Sequence, residues 1–549
     1  MRTFSKRPAF SLPSGLSWLD LLILALLIAV YGLHASRLGS WIMDDAGISF
    51  AYSRNLAMGH GLVSQPGRIP VEGYSNPFWV LMLVPFFWLG LFDPIITPKL
   101  VSGLLVATGI IFLYAGARRV LGSRVLAAIT CGLLVVNTSF VVWSVSGLEN
   151  PLYALLAILM FWLVIDGQES RKLPLHLGLL AGLAGMTRPD GIVFVLVLPL
   201  YLAVEGLHAR RGAWRDNRGP LRALWQFGVP FALIIGGYEV FRILYFHDLL
   251  PNTYYAKAEG AFRPQIWAMI ATLHPDYFDE ITSLWESVLG RLAMPGFLAM
   301  LVSVTHFMTR RRFEAWQWSG LVVFIPGALA YTLLPKDWMG EYRFATPVIP
   351  FFYLLIVQLG LAWSEYVPVS SRLQRVVLVL ALIAFLGANV GRHSRRTRNF
   401  ALYLPTPFNT VVEAYAKPFN EYARRLGLDS ASILLPDVGG TLYYSNLTVY
   451  DLGSLTDRTI ARTIHTNPYA FHDYVLGQTR PTFIVTYSSW AEFADLDSDP
   501  RFRRDYLPIQ ESLDPILLQS NAEIYSGTYV RRDAVPDAAA LERLLNPDQ

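Results

Sequence analysis

The chain has 549 residues, of which 53% are hydrophobic and 16% charged, with a mean hydropathy of +0.38; one soluble core of this length cannot hide that much apolar surface. A net charge of +4 is too small for a nucleic-acid footprint. The single cysteine, Cys131, lies in an apolar run, which excludes a disulfide framework and a CxxC metal site.

In chain order, Arg2, Lys6 and Arg7 precede an apolar stretch at 21–33, read as an uncleaved anchor with a signal peptide as the alternative, and either way the segment beyond it is exported. Spans are predicted at 16–35, 97–116, 125–143, 151–165, 173–186, 192–204, 223–246, 288–308, 318–334, 347–363 and 376–390. Most approach the ~20 residues that a hydrocarbon slab of ~30 Å demands, and those starting at Pro151, Leu173 and Ile192 are short. Basic clusters at Arg118/Arg119/Arg124, Arg171/Lys172, 210–222, 310–312 and Arg372/Arg375 fall on one side under this count, the cytoplasmic side. A further apolar run, 77–91, would invert every later loop if it crossed, so it is read as an interfacial or re-entrant helix. By parity the last segment lies outside, against the pull of Arg392, Arg395, Arg396 and Arg398. Residues 1–391 thus read as a membrane domain and 392–549 as an exported soluble α/β domain, which binds a polymer acceptor, covers the active site or serves as scaffold.

The first exported segment, WIMDDAGISFAYSRNLAMGHGLVSQPGRIPVEGYSNPFW, is dense with functional groups. Asp44 and Asp45 stand side by side where the chain leaves the lipid. Adjacent carboxylates at a low-dielectric boundary repel, which raises the proton affinity of at least one and makes a usable base. Alternatively one of them caps the helix predicted over 46–58. Glu149 in SGLEN and Arg188 with Asp190 in TRPDG stand at external turns, where an unpaired charge near lipid is costly. HDLLPNTYYAKAEG carries Tyr255 and Lys257; PKDWMGEYR carries Lys336, Asp337, Trp338, Tyr342 and Arg343. For a phosphate leaving group, a guanidinium can hold two of its oxygens. Arg188, Arg343 and Lys257 are therefore the donor-phosphate candidates, and Arg54, Glu72, Asn76, Glu149, Tyr255, Asp337, Trp338 and Tyr342 the sugar and acceptor candidates. Glu239 and Arg242, at i, i+3, read as a neutralising pair. His34 and His176 match no metal-ligand spacing. No metal site is assigned, and a divalent cation at the paired carboxylates stays open. Asp437 and Asp451 stand at predicted strand ends, and Gly439 with Gly440 lacks the rest of a nucleotide loop.

Taken in order, DDAGISFAYSRNLAMGHGLVSQPGRIPVEGYSNPFW, SGLENPLY, GMTRPDG, NTYYAKAEG, DWMGEYRFATPVIP and DVGGTLYYSNLTVYDLGSLTD resemble the polytopic GT-C glycosyltransferases. Within that class they look most like the mycobacterial terminal β-(1→2) arabinofuranosyltransferase and its bacterial relatives, over nearly the whole chain. The resemblance implies an α-helical polytopic membrane protein of GT-C type, which with the spans above has about eleven transmembrane helices plus interfacial helices, followed by the C-terminal α/β domain. It also implies a polyprenyl-phosphate sugar donor, decaprenyl-phosphate arabinofuranose in those relatives, with Asp44 and Asp45 as catalytic carboxylates. Gly47 stands where an aromatic residue is expected in relatives, which bears on the sugar and not on the class. The expected activity is inverting transfer to a cell-envelope glycan acceptor at the non-cytoplasmic face of the inner, or plasma, membrane. A lipid-linked sugar transporter would instead gather its polar groups at the bilayer midplane, and a non-catalytic glycan-binding scaffold would need only the C-terminal domain.

Overall fold

The computed structural model describes residues 13, 15–167, 170–208, 218–257, 283, 286, 293–310, 312–334, 337–366, 370–513, 525–537 and 542. Arg2, Lys6, Arg7, Arg210, Arg311, Lys336 and the start of the 288–308 run lie outside these. The chain forms two compact units: 1–40 with 95–238 and 264–404, and 41–94 with 239–263 and 405–549.

Among the described residues, five helices are long and apolar enough to cross a membrane: Trp18–Leu38, Ile96–Leu121, Pro189–Leu207, Gly219–Phe246 and Ser371–Leu402. A sixth candidate is the pair Arg124–Val136 and Thr138–Ser144, bent by 64°; Asn137 sits at the break and caps the second helix by accepting from the Phe140 amide. Asn150–Asp166, Leu173–Thr187 and Ile349–Ser364 are apolar but have 17, 15 and 16 residues, short of a perpendicular span. Among the described residues, fewer helices than the eleven runs read from hydropathy reach full length. A proline in the first turn of each of these three sets where it begins.

In the first unit, Asp20 would be a costly charge in an apolar helix, but Arg118 meets it at 2.8 Å, Arg124 at 3.1 Å and the Tyr114 hydroxyl at 2.7 Å. The last long helix runs on to Leu402, past the boundary drawn at residue 391, and carries the basic residues that opposed an exported C-terminus. One of them, Arg396, pairs with Glu341 at 2.7 Å. His34 hydrogen-bonds Thr397 at 2.7 Å, and His393 accepts from the Thr138 amide at 3.1 Å, so each is engaged by a helix neighbour.

The second unit joins the first-loop helix Asp44–Ala57 and the helix Pro77–Trp88 to the C-terminal α/β region. Pro77–Trp88, the outcome of the 77–91 run, has 12 residues, a length of ~18 Å that cannot cross a bilayer. The sheet comprises β1 (Ser432–Leu435), β2 (Thr448–Asp451), β3 (Phe483–Thr486), β4 (Tyr506–Leu513) and β5 (Tyr525–Arg531), in the order β2-β1-β3-β5-β4. β1 pairs parallel with β2 and β3, while β5 pairs antiparallel with β3 and β4. Every residue of β3 is buried, as apolar FIVT in a sheet covered on both faces requires. Ile48, Tyr52, Tyr74 and Val80 share one core with Leu435, Leu442, Val449, Phe483 and Val530. The first loop and the C-terminal sheet are thus one packed body, which division at residue 391 would cut apart. Gln65 closes the edge of β2, accepting from the Val449 amide at 2.9 Å and donating to the Leu447 carbonyl at 2.7 Å.

Candidate active site

Asp44 opens the first-loop helix and is only 2% exposed. Its Oδ2 accepts from the Gly439 amide at 2.8 Å and its Oδ1 from the Gly440 amide at 2.7 Å. Glycine is required for so close an approach: a Cβ on Gly439 would lie 1.8 Å from the Asp44 carbonyl oxygen, and one on Gly47 would lie 2.5 Å from the Gly439 carbonyl carbon. That is the local reason for a glycine at 47 in place of an aromatic ring. Toward the other end of the same helix, Arg54 donates to the carbonyls of Tyr443 at 2.6 Å and Leu442 at 3.2 Å. The first-loop helix thus grips the short helix Gly439–Tyr444 by both ends, with a carboxylate on its amides and a guanidinium on its carbonyls. Those are the signs that unsatisfied helix ends favour.

Burial pushes the proton affinity of Asp44 well above the ordinary carboxylate range and Asp437 adds to the rise, while the two amide bonds oppose it. Asp45 is half-buried, the one position between Trp41 and Phe50 that is not fully buried. Asp437, just past β1, accepts from the hydroxyl of Tyr487, which follows β3. Burial raises its proton affinity too, against the Tyr487 bond and with a contribution from Asp45. Asp451 ends β2, accepts from the amide and hydroxyl of Thr456 at 2.7 and 3.0 Å, and is pushed up to about 7 by burial. These acids stand at the carboxyl edge of the three parallel strands, where the chain leaves β1 for β2 on one side and returns to β3 on the other. Open α/β sheets place ligand crevices at such switch points.

The other first-loop candidates are built into the frame. Glu72 pairs with Arg242 at 2.5 Å, and Arg242 also holds Glu239, so the expected Glu239–Arg242 pair is part of a triad. Asn76 accepts from the Ser49 hydroxyl at 3.2 Å. Tyr255 lies under the Arg462 guanidinium, 4.6 Å from its ring centre, and Lys257 is exposed.

In the first unit the motifs SGLEN, TRPDG and DWMGEYR converge. Arg188 meets Glu149 at 2.8 Å and Asp190 at 2.9 Å, and Arg343 meets Asp337 at 3.0 Å. Both guanidiniums lie over the ring of Phe344, at 4.5 and 4.9 Å. Asn150 ties the motifs together by donating to the Arg343 carbonyl at 3.0 Å. Glu341 and Tyr342 hold φ of 47° and 48°, in the left-handed region that side chains rarely adopt. Trp143 donates to the Glu341 carbonyl at 2.9 Å, and Arg396 lies over the Tyr342 ring at 5.0 Å. Trp338 is 67% exposed. The two buried arginines expected to hold phosphate are therefore neighbours, each already paired with carboxylate.

Sequence reasoning placed Asp437 at a strand end but gave it no chemical role, and it passed over Tyr487 and Phe344. The only available signal was the DVGG turn, which without a nucleotide motif showed no ligand. Among the described residues, no three His, Cys, Asp or Glu groups sit together as a metal cage.

Residues 92–225 match the dolichyl-phosphate-mannose-protein mannosyltransferase family, and residues 414–531 match a domain of unknown function, DUF8728. No curated protein matches the chain in sequence. Among solved structures, it is similar to the archaeal oligosaccharyltransferase AglB from Archaeoglobus fulgidus in complex with an inhibitory peptide and a dolichol-phosphate. That likeness has a TM-score of 0.51 at 12% identity and covers 90% of this chain and 70% of that one. It is also similar to ArnT from Cupriavidus metallidurans bound to undecaprenyl phosphate, with a TM-score of 0.50 at 14% identity, covering 94% and 99%. At such identities the structural likeness is one of fold. The chain thus shares its fold with these solved enzymes, and a segment in its apolar half matches the mannosyltransferase family.

Proposed function

We propose that this chain is a glycosyltransferase that moves a sugar, arabinofuranose by the resemblance of its motifs, from a polyprenyl-phosphate donor to a cell-envelope glycan acceptor. The transfer takes place on the non-cytoplasmic face of the inner membrane, with inversion. The observation that carries the reading is the Asp44–Asp45 pair, set among acids of raised proton affinity in a chain of this fold. A carboxylate of the pair takes the acceptor hydroxyl's proton as that oxygen bonds the anomeric carbon and the bond from that carbon to the phosphate oxygen breaks. The polyprenyl phosphate leaves as an anion and needs no protonation, so one base is enough.

A lipid-phosphate donor is supported by the matched family's name and by the dolichol-phosphate and undecaprenyl phosphate in the similar structures. An apolar cavity of about 270 Å³ in the first unit, lined by Met300, Phe352, Ile356, Leu382 and Phe385 among others, has the chemistry of an isoprenoid chain's surroundings. Arg343 and Arg188, neighbours in the first unit, are assigned to the donor phosphate, for which each must exchange a carboxylate partner. The test is incubation of the purified protein with a panel of polyprenyl-phosphate sugars, arabinofuranose and mannose among them, and candidate glycan acceptors. Consumption of the arabinofuranosyl donor is expected; consumption of another sugar alone replaces the sugar assignment, and an intact panel rejects the reading.

A further inference from the structure

We propose that the two aspartates divide the work: Asp44 is a positioning residue latched to the Gly439–Gly440 turn, and Asp45 is the base, so that the region after residue 405 is a built-in part of the active site. The proposal rests on the transfer reading above and deepens it.

Both Asp44 oxygens are engaged by successive backbone amides, in a place where a Cβ on Gly439 would collide with Asp44 and one on Gly440 would crowd the Phe408 carbonyl oxygen at 3.0 Å. An acceptor hydroxyl has no approach to a carboxylate so covered. Asp45 is the next residue on the helix, turned about 100° around its axis, and it is the half-buried one. The latch demands a carboxylate of this length. Asparagine would face one amide donor with its own NH2, and glutamate would be a carbon too long for helices in glycine contact. Arg54 fixes the opposite end of Gly439–Tyr444, so rotation about the latch is also blocked. The acidic surroundings come from several elements: Asp437, Tyr415 and Tyr487 face Asp44, and Asp437 and Asp451 face Asp45.

The experiment uses the full chain in nanodiscs and compares wild type with Asp44→Asn, Asp45→Asn and Gly440→Ala. It reads kcat, donor KM, the pH profile and protease resistance of the 405–549 region, with the polyprenyl-phosphate sugar that wild type consumes. Asp45→Asn should lose on the order of a thousandfold in kcat, with donor KM and protease resistance unchanged. Asp44→Asn should lose on the order of tenfold in kcat with donor KM unchanged, expose the 405–549 region to protease and leave the acid limb in place, because burial already keeps Asp44 protonated there. Mere loss of folded protein would not separate kcat from protease exposure in the variant that keeps both carboxylates. Gly440→Ala is that variant, and it should reproduce the kcat loss and the protease exposure. Asp45→Asn turning over near wild type while Asp44→Asn is inert, its 405–549 region still protease-resistant, overturns the division of labour. A wild type inert toward every donor overturns the transfer reading instead, and the latch is then judged by protease alone: unchanged resistance of Asp44→Asn overturns it.

Discussion

Asp451 shows what a buried carboxylate does to stability. Its proton affinity in the fold, about 7, lies above the ordinary carboxylate value, so the folded state binds the proton more tightly than the unfolded chain does. Its favourable contribution is complete below pH ~4 and is lost as pH rises through about 7. Thermal unfolding of the wild type should therefore fall by several degrees between pH 5 and 8, and Asp451→Asn should flatten that slope, its amide oxygen still accepting from Thr456; an unchanged slope in the variant contradicts the assignment. Glu72 gives the complementary case. With Arg242 holding it at 2.5 Å in a buried pair, Glu72→Gln should destabilise the second unit by roughly 3 kcal/mol, read as a lower Tm. At this scale the sequence names the polar side chains but not their partners. Glu72 and Asn76 do sit with polar partners, but those partners are Arg242 and Ser49, residues whose proximity no spacing rule announces.

The helix Asp44–Ala57 was legible because an acidic pair stands at the start of the run predicted over 46–58, and Pro77–Trp88 because 77–91 is a continuous apolar run. Its grip on Gly439–Tyr444 was not legible, since it depends on glycines nearly four hundred positions apart in the chain. Arg54→Ala should remove the carbonyl-end cap and cost about 1–2 kcal/mol, lowering Tm while leaving the pH profile of transfer in place. In the loop around Arg343, substitution by lysine keeps the charge and loses the planar fork. Donor KM should rise by about tenfold with kcat nearly constant, and an unchanged KM would remove Arg343 from the phosphate assignment. The left-handed Glu341 and Tyr342 beside it follow no local propensity: Trp143 holds the Glu341 carbonyl, and Arg396 lies over the Tyr342 ring.

For the molecule as a whole, hydropathy drew one boundary along the chain, at residue 391, whereas the second unit is assembled from three stretches. Ile48, Tyr52 and Tyr74 find their core among β1, β2 and β3, so the first loop has no fold of its own without residues 405–549. Truncation after residue 404 should therefore yield a chain that aggregates or is degraded in membranes, and not a smaller active enzyme; recovery of a truncated protein with transfer activity would refute the shared core. The most direct measurement of the central claim tracks the lipid product. Purified protein is given labelled decaprenyl-phosphate arabinofuranose and an arabinan acceptor, and release of decaprenyl phosphate is compared between wild type and an Asp44→Asn/Asp45→Asn double variant. The account predicts one phosphate lipid released per sugar transferred by wild type and none above background by the variant. An untouched donor, or a double variant that turns over as fast as wild type, would contradict it.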